Sequence, residues 1–167
     1  MDDFLIVRDG VVPFLSLLIF MPLAGALVLL LVENEDFAKL WALAVTVLTA
    51  IWSLPLYFGF DLETAKYQFG EHHAWIPAWD INYTVGVDGI SLLLVLMTTL
   101  IMPLCVLGSW SYIQKRVREF MICLLIMETS MVGVFVSLDF VLFYVLWEAM
   151  LIPMYLMIAI WGGPRKV

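Results

Sequence analysis

Apolar residues run through this chain in blocks too long for a soluble core, separated by short polar breaks. Five runs reach the length of a membrane span: Val12 to Val32, Ala38 to Phe58, Ile90 to Ser109, Phe120 to Leu138 and Phe140 to Trp161. At about 1.5 Å per residue each crosses most or all of a hydrocarbon core roughly 30 Å thick, so the pattern predicts an all-α, polytopic membrane protein with five transmembrane helices in a single domain, residues 1–167. The first run lacks a basic preceding region and a small-residue cleavage pattern, and is read as a retained span. The connections are short except for Gly59 to Gly89, where acids and histidines are interleaved with aromatics. The alternation in YQFGEHHAWIPAWDINYTVGV would suit a short hairpin, while Trp75, Trp79 and Tyr83 would suit interface anchors, the reading we prefer here.

Composition agrees: 64% of residues are hydrophobic and the mean hydropathy is +1.03, well beyond soluble domains. The net charge of -7 and the absence of a Lys/Arg-rich run exclude a nucleic-acid partner. The lipid bilayer is the partner that composition implies. Cys105 and Cys123 lie inside apolar runs and imply no disulfide framework. His72 and His73 lie in the polar segment without a second ligand pair, which favours water-facing histidines over a metal site and leaves no histidine in the spans to ligate a haem.

Basic residues predict the orientation. One side of a five-span chain carries Arg8 and Lys66, the other Lys39, Lys115, Arg116, Arg118, Arg165 and Lys166. The positive-inside rule makes the second side cytoplasmic, so the N-terminus is expected in the periplasm and the C-terminus in the cytoplasm. Asp88, three residues before Ser91, is read as the cap of the third span in preference to an ion ligand.

The chemistry is concentrated in two carboxylates, since only Glu128 and Glu148 among the 15 acids fall within the spans, and the one Lys or Arg inside them, Lys39, is the second residue of its run, at the membrane edge. Glu148 is the one charged residue of its run. A mid-membrane charge costs roughly 3 kcal/mol on insertion scales, which makes such a residue a candidate functional site, here for proton transfer. Tyr144 and Tyr155 fall near its helical face, and Pro153 frees the carbonyl of Ala149. The bland alternative is a protonated Glu148 that only hydrogen-bonds a neighbouring helix. Glu128 is the candidate second carboxylate. It precedes a turn near residue 138 by ten residues and Glu148 follows it by ten, so an antiparallel pair places both at one depth. If they met, they could share a proton. The surroundings of Glu128 on its own helix are drier, and a structural and a functional Glu128 both remain open.

The stretches VGVDGISLLLVLMTTLIMPLCVLGSW (Val85 to Trp110) and METSMVGVFVSLDFVLFYVLWEAMLIPMYLMIAIWGG (Met127 to Gly163), with the WIP of Trp75 to Pro77, resemble the subunit M (ND-four type) family of antiporter-like subunits of respiratory complex I. The resemblance implies a proton-translocating membrane subunit of NADH:quinone oxidoreductase in a bacterial inner membrane. It performs no redox chemistry itself; quinone, flavin and iron-sulfur clusters belong to partner subunits, and other membrane subunits surround it. Glu148 then matches the family's glutamate on the fifth helix, which works with a lysine on a later helix. The chain looks like the N-terminal portion of such a subunit, since it ends near Gly163 and Pro164 where another helix would start, and a complete proton path is not expected within it. Cation/proton antiporter and membrane hydrogenase subunits share the fold. A membrane scaffold or assembly protein is the alternative from another class.

Overall fold

The computed structural model describes residues 5–7 and 13–162. Arg8, Arg165 and Lys166, used above for orientation, lie outside the described residues, as do Gly163 and Pro164. Five helices follow the predicted runs: α1 Phe14–Leu30, α2 Glu35–Phe58, α3 Gly89–Ser109, α4 Val117–Val136 and α5 Phe140–Trp161. Four are long and apolar enough to cross a membrane; α1, with 17 residues, is shorter than the predicted Val12 to Val32 run. The difference lies at its ends, where Pro13 sits at the N-cap and the chain leaves the helix at Leu31.

Local chemistry sets the other starts. The Asn34 Oδ1 accepts the N–H groups of Asp36 and Phe37 at 2.9 and 3.1 Å, with Glu35 and Asp36 favourably placed at the positive end of the helix dipole. This moves the start of α2 ahead of Ala38. Asp88 and Ser91 form a reciprocal capping box, with the Ser91 N–H 2.7 Å from Asp88 Oδ1 and the Asp88 N–H 2.9 Å from Ser91 Oγ, so the expected cap forms. Arg116 adopts a left-handed conformation and α4 begins at Val117, ahead of Phe120.

The segment between α2 and α3 corrects the preferred anchor reading, because it folds as a hairpin. Strands β2 (Tyr67–Ile76) and β3 (Ile81–Val87) pair antiparallel, with β1 (Leu5–Val7) parallel to β2 on the other side. The all-α expectation thus misses a three-stranded sheet. A 3-10 turn at Pro77–Trp79 joins the strands and closes with Asp80 in the left-handed region, which an Asp tolerates. Trp75 and Trp79 remain exposed at the tip, while Phe69, Glu71, Thr84, Val85 and Val87 point inward.

The hairpin sits at the end of the bundle that also holds the start of α1 and the α4–α5 turn. Glu71 of β2 reaches α1, the Leu138 N–H donates to the Thr84 carbonyl at 2.9 Å, and Asp139 accepts the Asn82 N–H at 3.1 Å. The other end gathers Lys39 over the Trp110 ring, Arg118 donating to the Val32 carbonyl, and Trp161 donating to the Lys115 carbonyl. Among the described residues, Lys66 alone of the basic side chains belongs to the hairpin end.

Two apolar clusters fill the bundle. Leu15, Leu18 and Ile19 of α1 join Leu56, Leu92, Val95, Val132 and Val136 in one, and Ala26 and Leu29 join Ala42, Val45, Met102, Val106, Met121 and Leu124 in the other. Between them, every one of the first four helices passes through a different kind of residue. This layer holds Pro22 and Gly25 on α1, Thr46, Thr49 and Ser53 on α2, Thr98 and Thr99 on α3, and Glu128, Thr129 and Ser130 on α4, all buried. The helices approach closely: a Cβ on Gly25 would lie 2.8 Å from the Val45 side chain, and one on Gly133 would lie 2.8 Å from Leu146.

Candidate functional site

Helix α5 is capped by Asp139, whose Oδ1 accepts the N–H groups of Val141 and Leu142 at 2.8 and 3.1 Å. Burial opposes ionisation of this carboxyl, but the N–H donors of Asn82, Leu142 and Val141 outweigh it and hold it below the usual aspartate range. From that start α5 packs on α4 through a narrow face, with Leu142 and Pro153 buried, and leaves its opposite face uncovered. Glu148 stands on the uncovered face. Tyr144, Ala149, Ile152 and Tyr155 line the same shallow groove, about 620 Å³, and the Tyr144 hydroxyl interacts with the Glu148 carboxylate. Both predicted phenols thus flank the acid, and among the described residues no basic side chain lines the groove.

Glu128 occupies the opposite situation. It is fully buried, it lies in the polar layer between the clusters, and neither carboxylate oxygen has a hydrogen-bond partner among the described residues. The two acids stand at similar distances from the α4–α5 turn, but the structure does not bring them together. Glu128 points into the bundle of α1 to α4, whereas Glu148 is exposed on the far side of α5. A proton shared directly between them has no support in this arrangement.

A third carboxylate went unnoticed in the sequence. Glu71 is buried, and it accepts the Leu15 N–H at 2.6 Å, the Ser16 N–H at 3.2 Å and the Ser16 hydroxyl; that hydroxyl also lies 2.8 Å from the Tyr83 phenol. Burial raises the Tyr83 pKa and the Glu71 charge adds to the rise, while the Ser16 hydrogen bond opposes both. The available signal was negative: Pro13 provides no side-chain cap and the first turn of α1 contains no acid, so an acceptor had to come from elsewhere. Of the two histidines, His73 is exposed as expected, whereas His72 is half-buried with Nδ1 2.7 Å from Thr84 Oγ1.

A family model described as NADH-ubiquinone oxidoreductase chain 4, amino terminus, matches residues 16–134, which include Glu128 but stop short of Glu148. The chain is 46% identical over 159 residues to NADH-quinone oxidoreductase subunit M of Rhodobacter capsulatus, covering 92% of this chain and 30% of that protein. It is 41% identical over 154 residues to NADH-ubiquinone oxidoreductase chain 4 of Arabidopsis thaliana, covering 91% and 31%. The chain therefore spans about a third of the length of these relatives. In structure it resembles a chain of respiratory complex I from Thermus thermophilus, with a TM-score of 0.75, 26% identity, and coverage of 91% of this chain and 30% of that one. A chain of the Mrp complex from Dietzia sp., TM-score 0.70 and 15% identity, covered to 16% by 92% of this chain, shares the fold alone.

Proposed function

From the membership of this chain in the NADH-ubiquinone oxidoreductase chain 4, amino terminus, family, to which it belongs, we propose that it acts as the amino-terminal part of a proton-translocating membrane subunit in an NADH:quinone oxidoreductase. All five helices are placed across a bacterial inner membrane, α1 included, since about 17 residues lies at the lower limit for a span. The observation that carries the functional reading is the open α5 face, where one carboxylate lies between two phenols with no cation among the described residues. A carboxylate exposed to hydrocarbon is costly, so this face needs a neighbour that supplies water or positive charge. Glu148 is the proton-transfer residue in this reading, with the cation supplied by a helix outside this chain. Quinone, flavin and iron-sulfur clusters are held by partner subunits, and this chain carries out no redox step. The likeness to the Mrp complex keeps an antiporter as the second reading, on fold alone.

Affinity purification from native membranes in mild detergent tests the assembly. The tagged chain is expected to bring flavin and iron-sulfur subunits with it, together with NADH-dependent quinone reduction. Recovery of a stable membrane complex lacking both redox groups would favour the antiporter reading.

The orientation rests on the basic residues gathered at one end of the bundle, with the hairpin at the other. In a background lacking Cys105 and Cys123, single cysteines at the exposed positions Ala78 and Lys115 are expected to react with an impermeant thiol reagent from opposite sides, Ala78 from the periplasm. Labelling of both from one side would overturn the five-span topology.

A further inference from the structure

The polar layer between the apolar clusters has a hydrogen-bond imbalance. Most of its hydroxyls are committed to carbonyls of their own helices or to each other: Thr49 donates to Val45 at 2.9 Å and Thr98 to Leu94 at 2.8 Å, while Ser53 and Thr99, 2.8 Å apart, share their protons between one another and the Ala50 and Leu96 carbonyls at 2.7 and 3.1 Å. Those hydroxyls retain lone pairs that can accept, but have no proton left to give. Pro22 adds another acceptor by leaving the Leu18 carbonyl without its usual N–H. Glu128 stands in this layer, and among the described residues both its oxygens and the Thr129 hydroxyl beside it are unpartnered. Such groups rarely persist in a folded protein without a protein or water partner.

We propose that this layer is an internal water-binding site whose proton-holding group is Glu128, separate from the Glu148 face. An ionised Glu128 would need a cation or several donors, and among the described residues no Lys, Arg, His or second acid faces it from α1, α2, α3 or α4, while the one charged residue of α5, Glu148, is on that helix's exposed face. A neutral acid can give its O–H to one of the surplus acceptors, but its carbonyl oxygen then requires a donor: the hydroxyls bonded to carbonyls have none to give, and the uncommitted Thr129 hydroxyl makes no bond to either carboxylate oxygen. Water provides two donors and two acceptors, and buried waters typically make about three hydrogen bonds to such orphaned groups. Proton exchange is balanced within the layer: a hydronium there gives one proton to the carboxylate, leaving a neutral water and the acid, and release runs the same step backwards. The inference deepens the proton-translocating reading by giving the chain a second proton store. Its occupancy by water and a proton requires no turnover.

Infrared spectroscopy on the chain in its native membrane assembly tests this with wild type, Glu128→Gln, Glu128→Asp and Glu148→Gln. A carboxylic acid C=O band is expected at neutral pH that disappears in Glu128→Gln, moves in Glu128→Asp and persists in Glu148→Gln. After transfer to heavy water the band should shift within minutes, while the amides of the surrounding helices remain protected for hours. Absence of the band means that Glu128 holds no proton, and a band that exchanges only as slowly as those amides means that the layer is dry. Either result overturns the proposal, whether or not the assembly pumps protons. If Glu128→Gln fails to assemble, the Glu128→Asp band shift makes the same assignment.

Discussion

Glu148→Gln is expected to leave an assembled protein whose proton transfer falls on the order of 100-fold, the scale on which a positioned acid or base contributes. Glutamine retains the side-chain length and can still hydrogen-bond the Tyr144 hydroxyl, but it cannot lose a proton. A proton carrier must exist both as acid and as carboxylate within one turnover. An approaching cation favours the carboxylate, and its withdrawal from a low-dielectric site favours the acid. Coupled quinone reduction should decline with pumping, because the two share one cycle in the proposed assembly. Glu148→Asp keeps the charge with one methylene less and should retain part of the activity. Glu128→Gln should do less harm to turnover than Glu148→Gln, since Glu148 alone stands on a face open to another helix. Quinone reduction and vesicle acidification, measured for the three variants at equal assembly, decide the matter. Pumping at the wild-type rate by Glu148→Gln would sink the proton-site assignment and favour a scaffold.

Hydropathy located the helices because burial in lipid imposes one requirement on every residue of a span, so a window over α3 or α5 carries the signal without tertiary information. The exact starts depended on caps. Asp88 was readable because its partner Ser91 is three residues away, whereas the α1 cap was not, because Glu71 is 55 residues from Ser16. The hairpin was ambiguous for a related reason. Alternation along Tyr67–Ile76 and Ile81–Val87 fits a strand, yet Trp75 and Trp79 at its tip also suit a membrane interface, and their pairing register is a tertiary property. The two intramembrane acids illustrate a further limit. Equal distance from the α4–α5 turn follows from counting residues, but which side of each helix faces inward depends on all neighbours. Gly133 of α4 meets Leu146 of α5, and this contact turns Glu148, two residues on, away from α4. Periodicity alone cannot assign that rotation on α5, where nearly every position is apolar.

Glu71→Ala is expected to produce the largest loss of stability of any single change in the hairpin, roughly 2–4 kcal/mol, since it removes the acceptor for three donors at the start of α1. Leu15 is completely buried, so its N–H has no access to water as a substitute. The lost carboxylate also stood at the positive end of the helix dipole, where an anion contributes about 0.3–1 kcal/mol and more when partly buried. Pro13 cannot take over, having no side-chain acceptor, and the first turn of α1 contains no acid. Glu71→Gln keeps one carbonyl oxygen for the backbone N–H groups and leaves its NH2 to the Ser16 hydroxyl, which can turn to accept it, but removes the charge and the second acceptor, so about half of the loss should remain. The thermal midpoint of the detergent-solubilised protein should fall for Glu71→Ala, fall less for Glu71→Gln, and hold for His73→Ala, which alters an exposed side chain on the same strand. Hydrogen exchange supplies the local readout: the Leu15 and Ser16 amides should lose protection in Glu71→Ala, while those in the middle of α3 keep theirs. Proton transfer per assembled molecule should stay within about twofold of wild type, because Glu71 holds the end of α1 and lies outside both intramembrane acid sites. An unchanged midpoint with unchanged protection at Leu15 would show that α1 does not depend on the hairpin for its first turn.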